Sequence, residues 1–329
     1  MYSTCVTADL LRKRMNEQIE TLERQVEQPA TANETRRVAP SPGDRTPTSI
    51  TPQSGGGSCN CGGTSGSSCT TAGTLSYVYA LGRIEARFPN LAAEKEFAQA
   101  TGRTDTAGKT DQQTFHAVLS KRENRYLARQ LCWVLSIQGL ETYLLQLRDP
   151  ADIELLVEAI RPSPNSNDID AIIGLRGPIA PPEMCNGLMV PLVALDQVYS
   201  FDRGSLLKAI PKPEKIPAEQ FGPAAEELFD RMMQMTDNAG ATDGHRALNY
   251  LAMRYPAIYG KAAEEFGQDF SLTGVEVRPS RLSGTRNVVD VIFAYSNRNT
   301  DFTEKFFVRV DVTEEFPFLV TKLSPYYDR

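Results

Sequence analysis

The sequence predicts an α+β protein: a helix-rich α/β first domain, then a smaller α+β domain with an antiparallel sheet of about four strands. Three observations predict it. Strand-like and helical runs alternate between residues 76 and 175. Residues 218–236 and 244–266 carry helical spacing. Beyond residue 271 the apolar period changes to two: Val275 and Val277, then Val289, Val291, Phe293 and Tyr295, then Phe306, Val308, Val310 and Val312, then Phe318 and Val320. A period of two places alternate side chains on one face of a strand, so each set reads as a half-buried strand.

The elements follow in order. Residues 9–28 read as a charged amphipathic helix in which Met15, Ile19, Leu22 and Val26 form a short heptad seam. Such a seam is either a solvated helix or a weak docking or dimerisation helix, because stable coiled coils sustain about 3–4 heptads. Residues 29–58 set Pro29, Pro40, Pro42, Pro47 and Pro52 among Thr, Ser, Arg and Gly, which predicts a flexible linker. Ser76 to Gly82 predicts a strand, Leu91 to Ala100 a helix, and residues 122–138 a long helix carrying Leu127, Leu131, Val134 and Leu135, closed by Gly139. Glu141 to Leu147 suits a strand. Asp149-Pro150 starts a helix, since Asp caps orphan N–H groups and Pro tolerates the first helical position. Asp168 to Leu175 reads as the next strand, and residues 187–200 form an apolar run interrupted by Pro191. Pro211, Pro213 and Pro217 mark a boundary. The expected division is 1–58 for the front helix and linker, 59–210 for a cysteine loop with the first domain, and 211–329 for the second.

Composition narrows the function classes. The chain has 329 residues, 41 acidic and 35 basic, for a net charge of −6. That balance argues against nucleic acid, which needs clustered Lys and Arg. No apolar run approaches the ~18 residues of a membrane span. The opening Met1 to Cys5 turns charged by Arg12, so no signal peptide is expected and a cytoplasmic setting is. In that setting the six cysteines are expected to be thiols or metal ligands rather than disulfides.

Few residues offer catalysis. His116 and His245 are the only histidines, too few for a histidine-based metal site or hydrolase triad. His245, beside Asp243, suits a helix start. No phosphate-binding loop or dinucleotide fingerprint occurs. Gly63-Thr64-Ser65 echoes a subtilisin nucleophile fragment but lacks that family's partner motifs. Arg278, Arg281 and Arg286 form a small basic patch suited to a carboxylate or an acidic peptide, or to a solvated turn. Met232, Met233 and Met235 suit ordinary core packing, or a soft peptide groove. The cysteines carry more. Cys59-Asn60-Cys61 lies in Gly/Ser-rich chain, followed by Cys69; Cys132 falls in the expected long helix and Cys185 in a proline-rich turn. A structural zinc takes four thiolate or imidazole ligands. Two from the loop and two from the domain would complete one, with Cys69 competing against Cys59 and Cys61.

Several long runs resemble a known family. They are Ser76 to Ile84, Asn124 to Val134, Asp237 to Asp243, Ala247 to Leu251, Val277 to Arg281, and Glu314 to Val320. Together these resemble the C-terminal domain of unknown function of the cyanobactin maturation proteases of the PatA and PatG type, over about residues 59–329. In that family the domain sits behind a subtilisin-like protease that acts on a ribosomally made precursor peptide. No protease domain occurs in this sequence, so protease activity does not carry over. The resemblance implies a non-catalytic accessory role in cyanobactin biosynthesis, with a precursor peptide or pathway enzymes as partners and a homodimer as one arrangement. Alternatives are a zinc-dependent peptide-modifying enzyme and a purely structural dimerisation module. The family's cysteine–glycine stretch before the domain is similar to Cys61-Gly62-Gly63. It favours Cys59 and Cys61, with Cys132 and Cys185, as the ligands of a structural zinc.

Overall fold

A computed structural model describes residues 76–102, 110–160, 168–210, 217–235 and 237–327. The front helix, the linker and the cysteine loop lie outside these residues. Chain contacts divide the protein into Met1–Thr74 and Leu75–Arg329, and all that follows concerns the second unit. Among the described residues no helix is long and apolar enough to cross a membrane.

The chain opens with strand β1 (Tyr77–Arg87), then helices α1 (Leu91–Thr101), α2 (Asp111–Leu119) and α3 (Arg125–Gln130). Strands β2 (Cys132–Ile137) and β3 (Leu140–Leu147), helix α4 (Ile153–Ala159), and strands β4 (Asp168–Ile179) and β5 (Pro191–Asp202) follow. The order β1-β2-β3-β5-β4 closes into a barrel, with β4 returning to β1. Every neighbouring pair is antiparallel except β3 and β5, which run parallel. Helices α5 (Arg203–Ala209), α6 (Ala218–Met233), α7 (Asp243–Arg254) and α8 (Ala257–Gly267) come next. They lead into a second sheet, β6 (Phe270–Pro279), β7 (Val288–Asn297), β8 (Thr303–Asp311) and β9 (Phe318–Pro325), paired in sequence order.

The class is α+β, as the sequence predicts. The four-stranded sheet lies where the period of two placed it. Its inward side chains Val289, Val291, Phe293, Tyr295, Val308 and Val310 pack on α6, α7 and α8. Asp149 caps the turn before α4, its Oδ1 accepting from Ala151 N at 2.8 Å.

Two helix readings differ from the structure. The expected long helix over 122–138 stops at Gln130, and Cys132 to Ile137 is a strand. Gln138 and Gly139 both take positive φ, 52° and 81°, which makes a two-residue hairpin turn of the kind that links twisted strands. Gly139 is therefore a hairpin residue, not a helix cap. The expected helix over 244–266 is two helices, broken at Tyr255-Pro256 because proline cannot donate to the preceding turn.

The barrel strands serve two cores at once. Val78 and Ala80 of β1 face a core with Trp133, Leu135, Leu145 and Ile172, which α1 to α4 cover with Phe97, Leu119 and Leu156. Tyr79 and Leu81 face the other way, with Ala171 and Ile173 of β4, into the core shared with α6, α7, α8 and the second sheet. Alternation along β1 thus joins the barrel to the sheet layer.

The joint is polar as well as apolar. Asn249 of α7 donates through Nδ2 to Tyr79 O at 2.7 Å, and Tyr79 N donates to Gly240 O at 2.9 Å. Asn238 Nδ2 donates to Asn249 Oδ1 at 2.8 Å. These buried amides satisfy each other and the β1 backbone, as buried polar groups must.

Candidate functional sites: a cysteine pair and a groove

Cys132 begins β2 and Cys185 sits in the turn between β4 and β5. The structure brings them together, with Cα atoms 6.0 Å apart, and joins them as a disulfide. This differs from the expectation of thiols or metal ligands rather than disulfides. The turn that carries Cys185 is locally determined. Ala180 N donates to Val190 O at 2.8 Å and Gly187 N to Pro182 O at 2.8 Å, with Asn186 and Gly187 at positive φ. Both cysteines are buried with Val134, Leu144 and Ala180 in a small apolar cluster on the barrel wall. Cys59 and Cys61, and Cys69 with them, lie outside the described residues. Among the described residues no group of three or more His, Cys, Asp or Glu side chains comes together as a metal set. A buried pair of cysteine sulfurs contributed by two separate elements is nevertheless the right donor chemistry for half of a structural zinc site, once reduced.

The second place is a groove of about 490 Å³ at the N-terminal end of α7. Met235, Leu248, Val277 and Val289 give it apolar walls, and Thr242, His245 and Arg278 stand among its polar ones. Its position follows from the fold: α6 ends and α7 begins beside the point where β6 ends and β7 starts. Thr242 caps α7, its Oγ1 accepting from His245 N at 3.1 Å. Asp243, the first helical residue, lies 3.6 Å from the Arg246 guanidinium. The cap is thus Thr242, with Asp243 and His245 in the first turn.

Burial holds the His245 imidazole below its ordinary pKa, against the opposing pull of Asp237. Its Nδ1 is buried without a hydrogen-bond partner among the described residues. A folded-state pKa below the unfolded value of about 6.5 means that the unfolded chain takes up the proton first. Stability from this group is complete above that value and is lost as pH falls through the folded pKa. We expect His245→Gln to flatten part of the low-pH loss in a urea-midpoint-against-pH series; a slope equal to the parent's would show that the imidazole is not responsible. His116 on α2 is also lowered by burial, against Glu158, so part of the slope persists.

Arg278 reaches Glu276 through Nη2 at 2.8 Å, and Arg286 pairs with the buried Asp311. Arg281 is exposed and has no ion-pair partner among the described residues. The basic patch read in the sequence therefore lies on the loop beside the groove. The groove itself was not visible in the sequence, because its walls come from four elements.

Fold and sites define an α+β unit built from a barrel and an open sheet, offering a cysteine pair and a mixed apolar–polar groove. Residues 215–326 match the family model described as PatG C-terminal. A solved structure titled "PatG Domain of Unknown Function" has the same fold, with a TM-score of 0.63 over 76% of this chain and 98% of that one, at 19% identity. Comparison with curated proteins finds no match.

Proposed function

We propose that this protein is a non-catalytic accessory component of cyanobactin-type peptide maturation, binding the precursor peptide or the enzymes that act on it. The observation that carries the reading is the groove at the N-terminus of α7, set among the residues that match the PatG C-terminal family model and bordered by an arginine-bearing loop. Apolar walls with a few convergent polar groups are what a peptide side chain needs. Titrating the full chain with the co-encoded precursor peptide tests it. Saturable heat and a rise in anisotropy are expected; no response at high concentration of both would end the peptide-binding reading.

We also propose that Cys132 and Cys185, reduced, hold a structural zinc together with Cys59 and Cys61. Four thiolates would close the coordination sphere and leave no open position for catalysis, consistent with an accessory role. Purified under reductant and without chelator, the full chain is expected to carry about one zinc per molecule, lost in Cys132→Ser and in Cys185→Ser. A metal-free parent with all thiols titratable would refute this. Cys69→Ser keeping its zinc, while Cys59→Ser and Cys61→Ser lose theirs, is the expected resolution of the loop ligands.

A further inference from the structure

The two edges of the second sheet are treated differently. At β9, Tyr255 Oη accepts from Leu323 N at 3.0 Å, the Tyr250 hydroxyl meets the Leu319 backbone, and Lys322 is exposed. Those groups occupy the edge and discourage further pairing. At β6 the only paired neighbour among the described residues is β7. Between Val275 and Val277 no described group outside β7 bonds to the β6 backbone. The groove opens at this same end, with Val277, Arg278 and Pro279 of β6 in its wall. Val277 faces inward, close to Gly244 of α7: a Cβ on that glycine would stand 3.2 Å from Val277 Cγ1. Beyond it, the chain from Arg278 to Arg286 holds three arginines, of which Arg278 pairs with Glu276 and Arg286 with Asp311, and it exposes Arg281 and Leu282.

Resting on the peptide-binding reading above, we propose that the β6 edge takes an extended acidic peptide segment as a fifth strand. Backbone hydrogen bonds to β6 supply the common affinity. Side chains of an added strand alternate between faces, so a residue level with Val277 points inward, into the groove between Met235, Leu248 and Val289. Its neighbours point to the outer face, where Glu276 and Arg278 pair with each other; Arg281, on the loop that follows, is exposed and has no ion-pair partner among the described residues. Arg281 therefore selects Glu or Asp at the outward position within its reach, and the groove selects an apolar residue at the inward one.

The probe is a fluorescein-labelled peptide of about eight residues alternating Glu and Val, matched to the length of an ordinary strand. The full chain is used throughout. We expect saturable anisotropy, with amide shifts of Val275 and Val277 in the isotope-labelled protein. N-methylation of alternate peptide nitrogens on the pairing edge should weaken binding about a hundredfold, since two or three hydrogen bonds are lost. Replacing every Glu by Lys should weaken it further. Arg281→Glu, an exposed change that leaves the fold alone, should weaken it about fivefold. If the precursor peptide binds but neither N-methylation of the probe nor Arg281→Glu has an effect, strand addition is wrong and the function reading stands. If neither the probe nor the precursor binds, both are wrong.

Discussion

Gly240→Ala is expected to be the most damaging single methyl in the described chain. Gly240 sits at φ 70°, and a Cβ there would stand 2.2 Å from Tyr79 O and 2.6 Å from Ala80 Cα. Those atoms are backbone of a barrel strand, so no rotamer change relieves the overlap. The positive φ alone costs an L-residue about 1–2 kcal/mol. The overlap adds a separation of β1 from the 238–241 turn and of Asn249 from Tyr79 O, so the total should reach roughly 4 kcal/mol. In a unit of this size that lowers Tm by about 10 °C. Gly187→Ala is the control. Its φ is 84°, yet a Cβ there meets nothing within 4 Å. It should cost only the conformational penalty of about 1 kcal/mol. Equal midpoints for the two variants in urea would show that the close approach to Tyr79 does not hold the layers together.

The position of Gly240 explains part of what the sequence made legible. The run Asp237 to Asp243, one of those that carry the family resemblance, contains Asn238, Gly240 and the cap Thr242; Ala247 to Leu251 contains Asn249. They build the joint between barrel and sheet, where a small residue, an amide or a hydroxyl has no substitute. The second sheet was legible for a different reason. Along β8 the inward Phe306, Val308 and Val310 pack on the helical layer while Lys305, Phe307 and Arg309, which alternate with them, stay half-exposed, so the period shows. β2 hid for the opposite reason. Cys132-Trp133-Val134-Leu135 is buried on both faces, Trp133 and Leu135 toward the barrel core and Cys132 and Val134 toward the outer cluster. Without alternation it continued the helical pattern of Leu127 and Leu131. Barrel closure left no local sign, because Tyr79 of β1 pairs with Ile173 of β4, far along the chain. The same limit applies to the sites. The arginines around residue 281 are a visible cluster, but the groove beside them exists only where Met235, Leu248, Val277 and Val289 converge. Cys132 and Cys185 were grouped by the resemblance, and the fold places them side by side on elements that the sequence misassigned in one case.

Arg246→Met is expected to loosen the other fastening of the sheet layer. Arg246 is 3% exposed, so its guanidinium has given up nearly all of its water. That cost appears in its pKa, which burial depresses, with Asp243 opposing. The compensation is a set of carbonyls on the chain between β8 and β9. Nη1 donates to Val312 O at 2.7 Å, and Nη2 donates to Glu314 O and, at 3.3 Å, to Glu315 O. The guanidinium also lies over the Tyr77 ring at 5.2 Å, which ties in the start of β1. Methionine would remove the desolvation cost and fill much of the space, and this works in the variant's favour. It would also leave the carbonyls without donors. Each hydrogen bond to a charged group contributes about 1.5–3 kcal/mol, and each buried orphan costs about 1–3 kcal/mol, so the lost bonds win. The expected net loss is about 3 kcal/mol, with hydrogen exchange accelerated first at Val312 to Phe316. Arg148 provides the contrast. It meets Glu315 at 3.4 Å and Asp196 at 3.1 Å but is 42% exposed, so Arg148→Ala should cost under about 1 kcal/mol. A loop that exchanges as slowly in Arg246→Met as in the parent would mean that Asp311, whose Oδ1 accepts from Thr313 N at 2.9 Å, holds it instead.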